Sequence, residues 1–184
     1  MKQMKQIPLI LSSRFMKNHI RAGEPTYFKE KIELAFNKDR DNIMPDGTII
    51  TPKIHTIRAD YDGWVKKIEE VNSGNAILRV VEWEDVPYRS KWVDIVNLTK
   101  DDGIRVQKLQ LGKDIEYELG GDMKYGLIES NYELVELCYY SQSLIPLDII
   151  AKNDSLSLSD FKDWFKDYDL TKPLAIIHFT KSRY

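Results

Sequence analysis

Lys53-Ile54-His55-Thr56-Ile57-Arg58 is the stretch on which the reading of this chain turns. It sets an amine, an imidazole, a hydroxyl and a guanidinium within six residues, on a run that reads as a β-strand. A strand is rigid, so groups carried on it keep fixed relations to one another. The same residues would also suit a half-buried strand with one solvated face. On an ideal strand Lys53 and Thr56 point to opposite faces, because their separation is odd. Thr56 would share its face with Ile54 and Arg58, and Lys53 with His55 and Ile57. For Lys53 and Thr56 to meet, the chain must bend or bulge just after Pro52.

Moving outward, Thr48 to Thr51 is either a short strand or the approach to this one, and Pro45-Asp46-Gly47 is a turn signal. Asp60 or Asp62 can cap a helix bearing Trp64, Val65, Ile68 and Val71, which Ser73-Gly74 stops. Ala76 to Trp83 is the strongest strand pattern, broken at Val86-Pro87-Tyr88. Trp92 to Leu98 alternates, and Asp101-Asp102-Gly103 is expected to turn it into Ile104–Leu109 as a hairpin. Ile115–Glu118 and Tyr125–Ile128 are weaker strands, and Asn131 is expected to start a helix through Tyr140. A polar loop is expected at Lys152–Ser155, then a helix capped by Ser157, then a strand at Leu174–Thr180.

Towards the N-terminus, Ile7 to Leu11 suits an edge strand, since it contains Pro8. Phe15, His19, Ile20 and Ala22 fit one face of a short helix ended by Gly23, and a second helix spans Tyr27 to Phe36. Strands with helices inserted between them imply an α+β fold, as one mixed sheet or an open barrel.

Composition bounds the function. The 184 residues make one domain, with 42% hydrophobic and 30% charged residues. A net charge of −2 gives no general drive towards nucleic acid or acidic lipid. The charge is uneven: +4 over residues 1–60, neutral over 61–113 and −6 over 114–184. A local basic surface is compatible with this, and a polyanion-wrapping protein is not. The single Cys138, in an apolar run, reads as a buried inert thiol and fits a reducing cytoplasm. No apolar run reaches the length of a membrane span, and the histidines lack metal-ligand spacing, so neither membrane nor metal nor cofactor is expected. His19 and His178 read as core or surface histidines.

In this order the chain resembles the ASCH family, whose fold is PUA-like, and within it the small bacterial N4-acetylcytidine amidohydrolases. The residues carrying the likeness are Arg14-Phe15 through Arg21-Ala22-Gly23, the run Lys53-Ile54-His55-Thr56-Ile57-Arg58-Ala59-Asp60, and Asp154 to Lys162 with the strand Ala175–Phe179. The resemblance implies a single domain over 1–184 with insertions at about 24–52 and 84–150. The family's catalytic Glu falls here at Asp154.

Carried over residue by residue, Thr56 would be the nucleophile, Lys53 its base and Asp154 the acid that assists the leaving amine. The ligand would be a modified nucleoside or RNA base. The alternative is a non-catalytic PUA-like module that binds RNA. A Thr hydroxyl attacks only when a neighbouring base takes its proton. A lysine does so only when neutral, which at pH 7 costs about 4.6 kcal/mol from its reference value. Arg58 is a candidate for binding an oxyanion or a phosphate. His55 is a candidate second base or substrate partner, or a structural histidine. Trp83 and Tyr88, near Arg89 and Lys91, could stack a base or pack a core.

Overall fold

The computed structural model describes residues 4–111, 125–134 and 137–184, with backbone only over 125–134 and 137–144. The fold is α+β. Its strands form two sheets rather than one, and no barrel closes among the described residues.

The first sheet has the order β1-β3-β4. Strand β1 (Lys5–Leu11) lies parallel to β3 (Ala76–Trp83), with Lys5 opposite Ala76 and Leu11 opposite Glu82. Pro8 is tolerated because β1 is an edge strand of this sheet. Strand β4 (Trp92–Leu98) pairs antiparallel with β3, with a register shift between Val80 and Val81. That irregularity lets two consecutive valines both be buried, which strict alternation would forbid.

The second sheet has the order β2-β8-β5-β6-β7. It comprises β2 (His55–Arg58), β5 (Arg105–Leu111), β6 (Tyr125–Leu134), β7 (Leu137–Pro146) and β8 (Leu174–His178), all antiparallel to their neighbours. Every residue of β8 is buried, as expected of a strand paired on both sides.

Among the described residues, four α-helices accompany the sheets. Helix α1 (Phe28–Phe36) buries Phe28, Ile32 and Leu34. Helix α2 (Tyr61–Asn72) buries Trp64, Ile68 and Val71, and its cap Asp60 accepts from Gly63 N at 3.1 Å. Helix α3 (Leu147–Asn153) follows Pro146 directly. Helix α4 (Leu158–Phe165) is capped by Ser157 Oγ, which accepts from Asp160 N at 3.0 Å. One apolar core unites both sheets with α1, α2, α3 and α4. Leu34, Met44 and Ile50 form a small satellite beneath the 37–50 loop. No described helix is long and apolar enough to cross a membrane.

Three further sequence expectations are corrected. Residues 17–23 form consecutive turns instead of a helix, inside a loop closed by the Arg14↔Pro25 bridge. Gly23 N donates to Phe15 O and Phe15 N to Glu24 O, closing a loop whose buried residues, Phe15 and His19, are too few for a helical stripe. Trp92–Leu98 and Ile104–Leu109 are not a hairpin. A 3₁₀ turn (Lys100–Asp102), capped by Thr99 and followed by Gly103 at φ 68°, passes the chain from one sheet to the other. Asn131 to Tyr140 is strand wherever it is described, because β6 and β7 satisfy one another's backbone from Tyr125↔Pro146 to Leu134↔Leu137. Separately, Leu147–Asn153 is helical immediately before Asp154. Ile115–Glu118 and the Cys138 side chain lie outside the described residues.

Phe161, fully buried and 4.7 Å from the ring of Phe165, measures how far this core depends on α4. Phe161→Ala is expected to lower the unfolding free energy by about 3–5 kcal/mol, read from urea melts with an unchanged m value.

Candidate functional site

The run Thr51–Ile54 is held against the end of α3 by backbone hydrogen bonds. Lys53 N donates to Lys31 O of α1 at 2.9 Å, and Ile54 N donates to Asn153 O at 3.1 Å. Ser155, at φ 59°, turns the chain after α3 and donates from Oγ to Thr51 O at 2.7 Å. Regular strand begins only at His55, so the alternation that opposes Lys53 to Thr56 does not extend back to Lys53.

The Lys53 side chain is fully buried, at 0% exposure. Its Nζ donates to Asp154 Oδ1 at 2.5 Å and to Asp154 O at 2.7 Å, and lies 4.1 Å from the centroid of the Phe28 ring. Two oxygens and an aromatic face thus surround the ammonium. Burial lowers the Lys53 pKa to about 8; Asp154 opposes that fall and Arg58 adds to it. Burial pushes the Asp154 carboxyl up, but Lys53 and His55 outweigh it and hold it below its ordinary value. The pair is therefore ionic at neutral pH, with the lysine only about one unit from neutrality. Lys31 Nζ donates to Ser155 O at 2.8 Å, and its pKa is also lowered to about 8, by burial and then by Lys53.

His55 extends the cluster. Its Nδ1 lies 3.5 Å from Asp154 Oδ1 without the alignment of a hydrogen bond, so it acts on the carboxylate as a nearby dipole. Its Nε2 is 2.7 Å from the Tyr184 hydroxyl, and that hydroxyl accepts from Asn153 Nδ2 at 2.8 Å. Across the strand pair, His178 sits edge-on to His55 with ring centroids 5.6 Å apart. Burial, then His55 and Arg183, lowers the His178 pKa to about 2, so its ring is neutral.

The structure brings Lys53, His55 and Asp154 together. It does not join Thr56 to them by a hydrogen bond: Thr56 is buried on β2 opposite Ile177, and Lys53 Nζ gives its hydrogen bonds to Asp154 alone. Arg58 Nη2 donates to Ile10 O at 2.8 Å, so the guanidinium ties β2 of one sheet to β1 of the other.

Trp83 and Tyr88 gather elsewhere. Trp83 lies 5.5 Å from Tyr88 and 5.7 Å from Trp92, at the end of the β3–β4 pair. Tyr88 is 88% exposed, so this is a surface cluster rather than core. No hydrogen bond, ion pair or ring contact among the described residues connects it to Lys53 or Asp154. Its neighbour Glu82 is half-buried, and its carboxyl is raised by burial and then by Glu30 of α1. Helix α1 thus stands beside both groups.

Asn153, Tyr184 and Lys31 also belong to the site; no motif marks them, and only Asn153, which precedes Asp154, adjoins a candidate residue. Two surface depressions, of about 680 and 380 Å³, flank α1, but Lys53, His55 and Asp154 line neither. Among the described residues, no group of three or more His, Cys, Asp or Glu side chains could hold a metal ion. Comparison of the chain with protein-family models, curated proteins and solved structures finds no match.

Removing one partner of a buried pair strands the other charge. Lys53→Met or Asp154→Asn alone is expected to cost about 3–5 kcal/mol, and the double variant Lys53→Met/Asp154→Leu markedly less than the sum, measured by urea unfolding. Because the Asp154 carboxyl is depressed on folding, its stabilisation is complete above about pH 4 and is lost as pH falls through the folded value. The fall in melting temperature on acidification should be shallower in Asp154→Asn than in the wild type.

Proposed function

We propose that this chain is an ASCH-like protein of PUA-like fold that receives a modified pyrimidine nucleoside beside the Lys53–Asp154 pair and hydrolyses an N4-acyl amide there. The observation that carries the reading is the pair itself. Two residues 101 positions apart, each matching a functional position in the resemblance, meet in a dry site at 2.5 Å. Structural ion pairs are also buried, so the chemistry has to supply the rest. A lysine near pKa 8 is about one-tenth neutral at pH 7, enough to act as a base. In the proposed reaction it takes the Thr56 proton as Oγ1 attacks the acyl carbon. Asp154 holds the resulting ammonium, whose proton passes to the amine nitrogen as the C–N bond breaks, leaving an acyl ester on Thr56. Water, giving a proton to the again neutral Lys53, then attacks that ester; the acid is released and the proton returns to Thr56 Oγ1. Because Asp154 is ionised when unliganded, the proton delivered to the amine is the one Lys53 has collected. This mechanism requires Thr56 Oγ1 to come within reach of Lys53 in the ligand complex.

The second reading is a non-catalytic RNA-binding module. It is favoured by the lack of a hydrogen bond between Thr56 and Lys53, and by the exposed aromatic cluster of Trp83, Tyr88 and Trp92. Stacking on such rings holds bases without regard to sequence.

Acetyl release from N4-acetylcytidine separates the two. The hydrolase reading expects a rate that rises with pH through about 8 as Lys53 loses its proton, and loss to background in Thr56→Val and Lys53→Met. Equal background rates in all three proteins would remove it. The binding reading expects oligonucleotide affinity that weakens in Tyr88→Ala, and a flat millimolar response across salt concentrations would count against it.

A further inference from the structure

His55 is anchored at one end of its ring and stands beside a carboxylate at the other, and the two ends agree on where its proton sits. Asn153 Nδ2 is an amide nitrogen and can only donate, so the Tyr184 oxygen accepts there, at 2.8 Å. Having accepted, the phenol has its own O–H left to give, and the partner in line is His55 Nε2 at 2.7 Å. If the phenol donates there, Nε2 accepts, and in a neutral imidazole the proton is then on Nδ1. At the other end of the ring, Nδ1 faces the Asp154 carboxylate at 3.5 Å. An N–H dipole is attracted to that oxygen, whereas a lone pair would be repelled. Burial lowers the His55 pKa, which keeps the ring neutral.

We propose that Tyr184, backed by Asn153, is a positioning residue that fixes neutral His55 as the Nδ1–H tautomer aimed at Asp154. The consequence concerns the buried pair. Whenever Lys53 gives up its charge, Asp154 would be left as an unpaired anion in a dry site, a costly state. A ring N–H held 3.5 Å from the carboxylate oxygen needs only a small reorientation at that moment to become its donor. That consequence rests on the base role of Lys53 in the preceding section, while the tautomer rests on the contacts alone. Orientation of a working group through its far-side hydrogen bond is a familiar device around imidazoles.

The test is histidine ring-nitrogen NMR on the full chain at neutral pH. In the wild type, His55 should show a protonated Nδ1 and an unprotonated Nε2. Tyr184→Phe keeps the ring that packs 5.7 Å from His55 and 5.8 Å from His178, and removes only the hydroxyl. It should move His55 to the Nε2–H form or to a tautomer mixture. Asn153→Ala, which frees the phenol to accept from Nε2, should move it partway in the same direction. This second variant serves as the test should Tyr184→Phe fail to fold. A wild-type protein with Nε2 protonated, or variants with the tautomer unchanged, would overturn the proposal. If N4-acetylcytidine is not hydrolysed and the tautomer responds as described, the hydrolase reading fails while the positioning role stands.

Discussion

A charge taken out of water must find its opposite, and here Lys53 finds it in Asp154. Removing an ammonium and a carboxylate from solvent costs several kcal/mol each, and only close, well-directed contact offsets that cost. The local chain geometry follows from the requirement. The 51–54 run stays out of the sheet, so that its backbone can bond to α1 and to the end of α3. Ser155 adopts a left-handed backbone to bring Asp154 inward, and its hydroxyl fastens the turn to Thr51. Helix α1 contributes the Phe28 face beneath the ammonium and the Lys31 contact to Ser155. Strand β2 then starts at His55 with its first side chain already beside the carboxylate.

Polar groups also tie the two sheets to each other. Arg58 is largely withdrawn from solvent, yet it reaches from β2 to a backbone carbonyl of β1. The 3₁₀ turn after β4 carries the chain across with a self-contained capping box, leaving β5 free to pair with β8. An oriented cation and a capped turn specify this arrangement in a way that apolar packing alone, being non-directional, does not.

Elements governed by local chemistry were legible in the sequence. The Asp60 cap and the Trp64–Ile68–Val71 stripe announce α2, the Ser157 cap announces α4, and the run Ala76–Trp83 matches β3 residue for residue. Elements decided by distant partners were not. Trp92–Leu98 looks ready to fold back onto Ile104–Leu109, but its partner is β3, and only pairing energy across the chain decides that. Asn131–Tyr140 carries residues compatible with helix or strand, and the long β6–β7 ladder selects strand. At the site, the proximity of Lys53 and Asp154 could be reached through family resemblance. Tyr184 could not, because nothing in its neighbourhood marks a tyrosine that will lie against residues from β2 and α3.

The separation of 101 residues between the two charged partners also bears on how the protein is made. During synthesis Lys53 leaves the ribosome long before its counter-ion has been translated. Until then the amine is better off in water, and the segment around it has reason to stay undocked. Parallel pairing of β1 with β3 spans a comparable stretch, from Lys5 to Ala76, so the first sheet too must wait for distant chain. The ion pair thus forms only once Asp154 has been made, and a chain that ends before it has a lysine with no counter-ion to bury against.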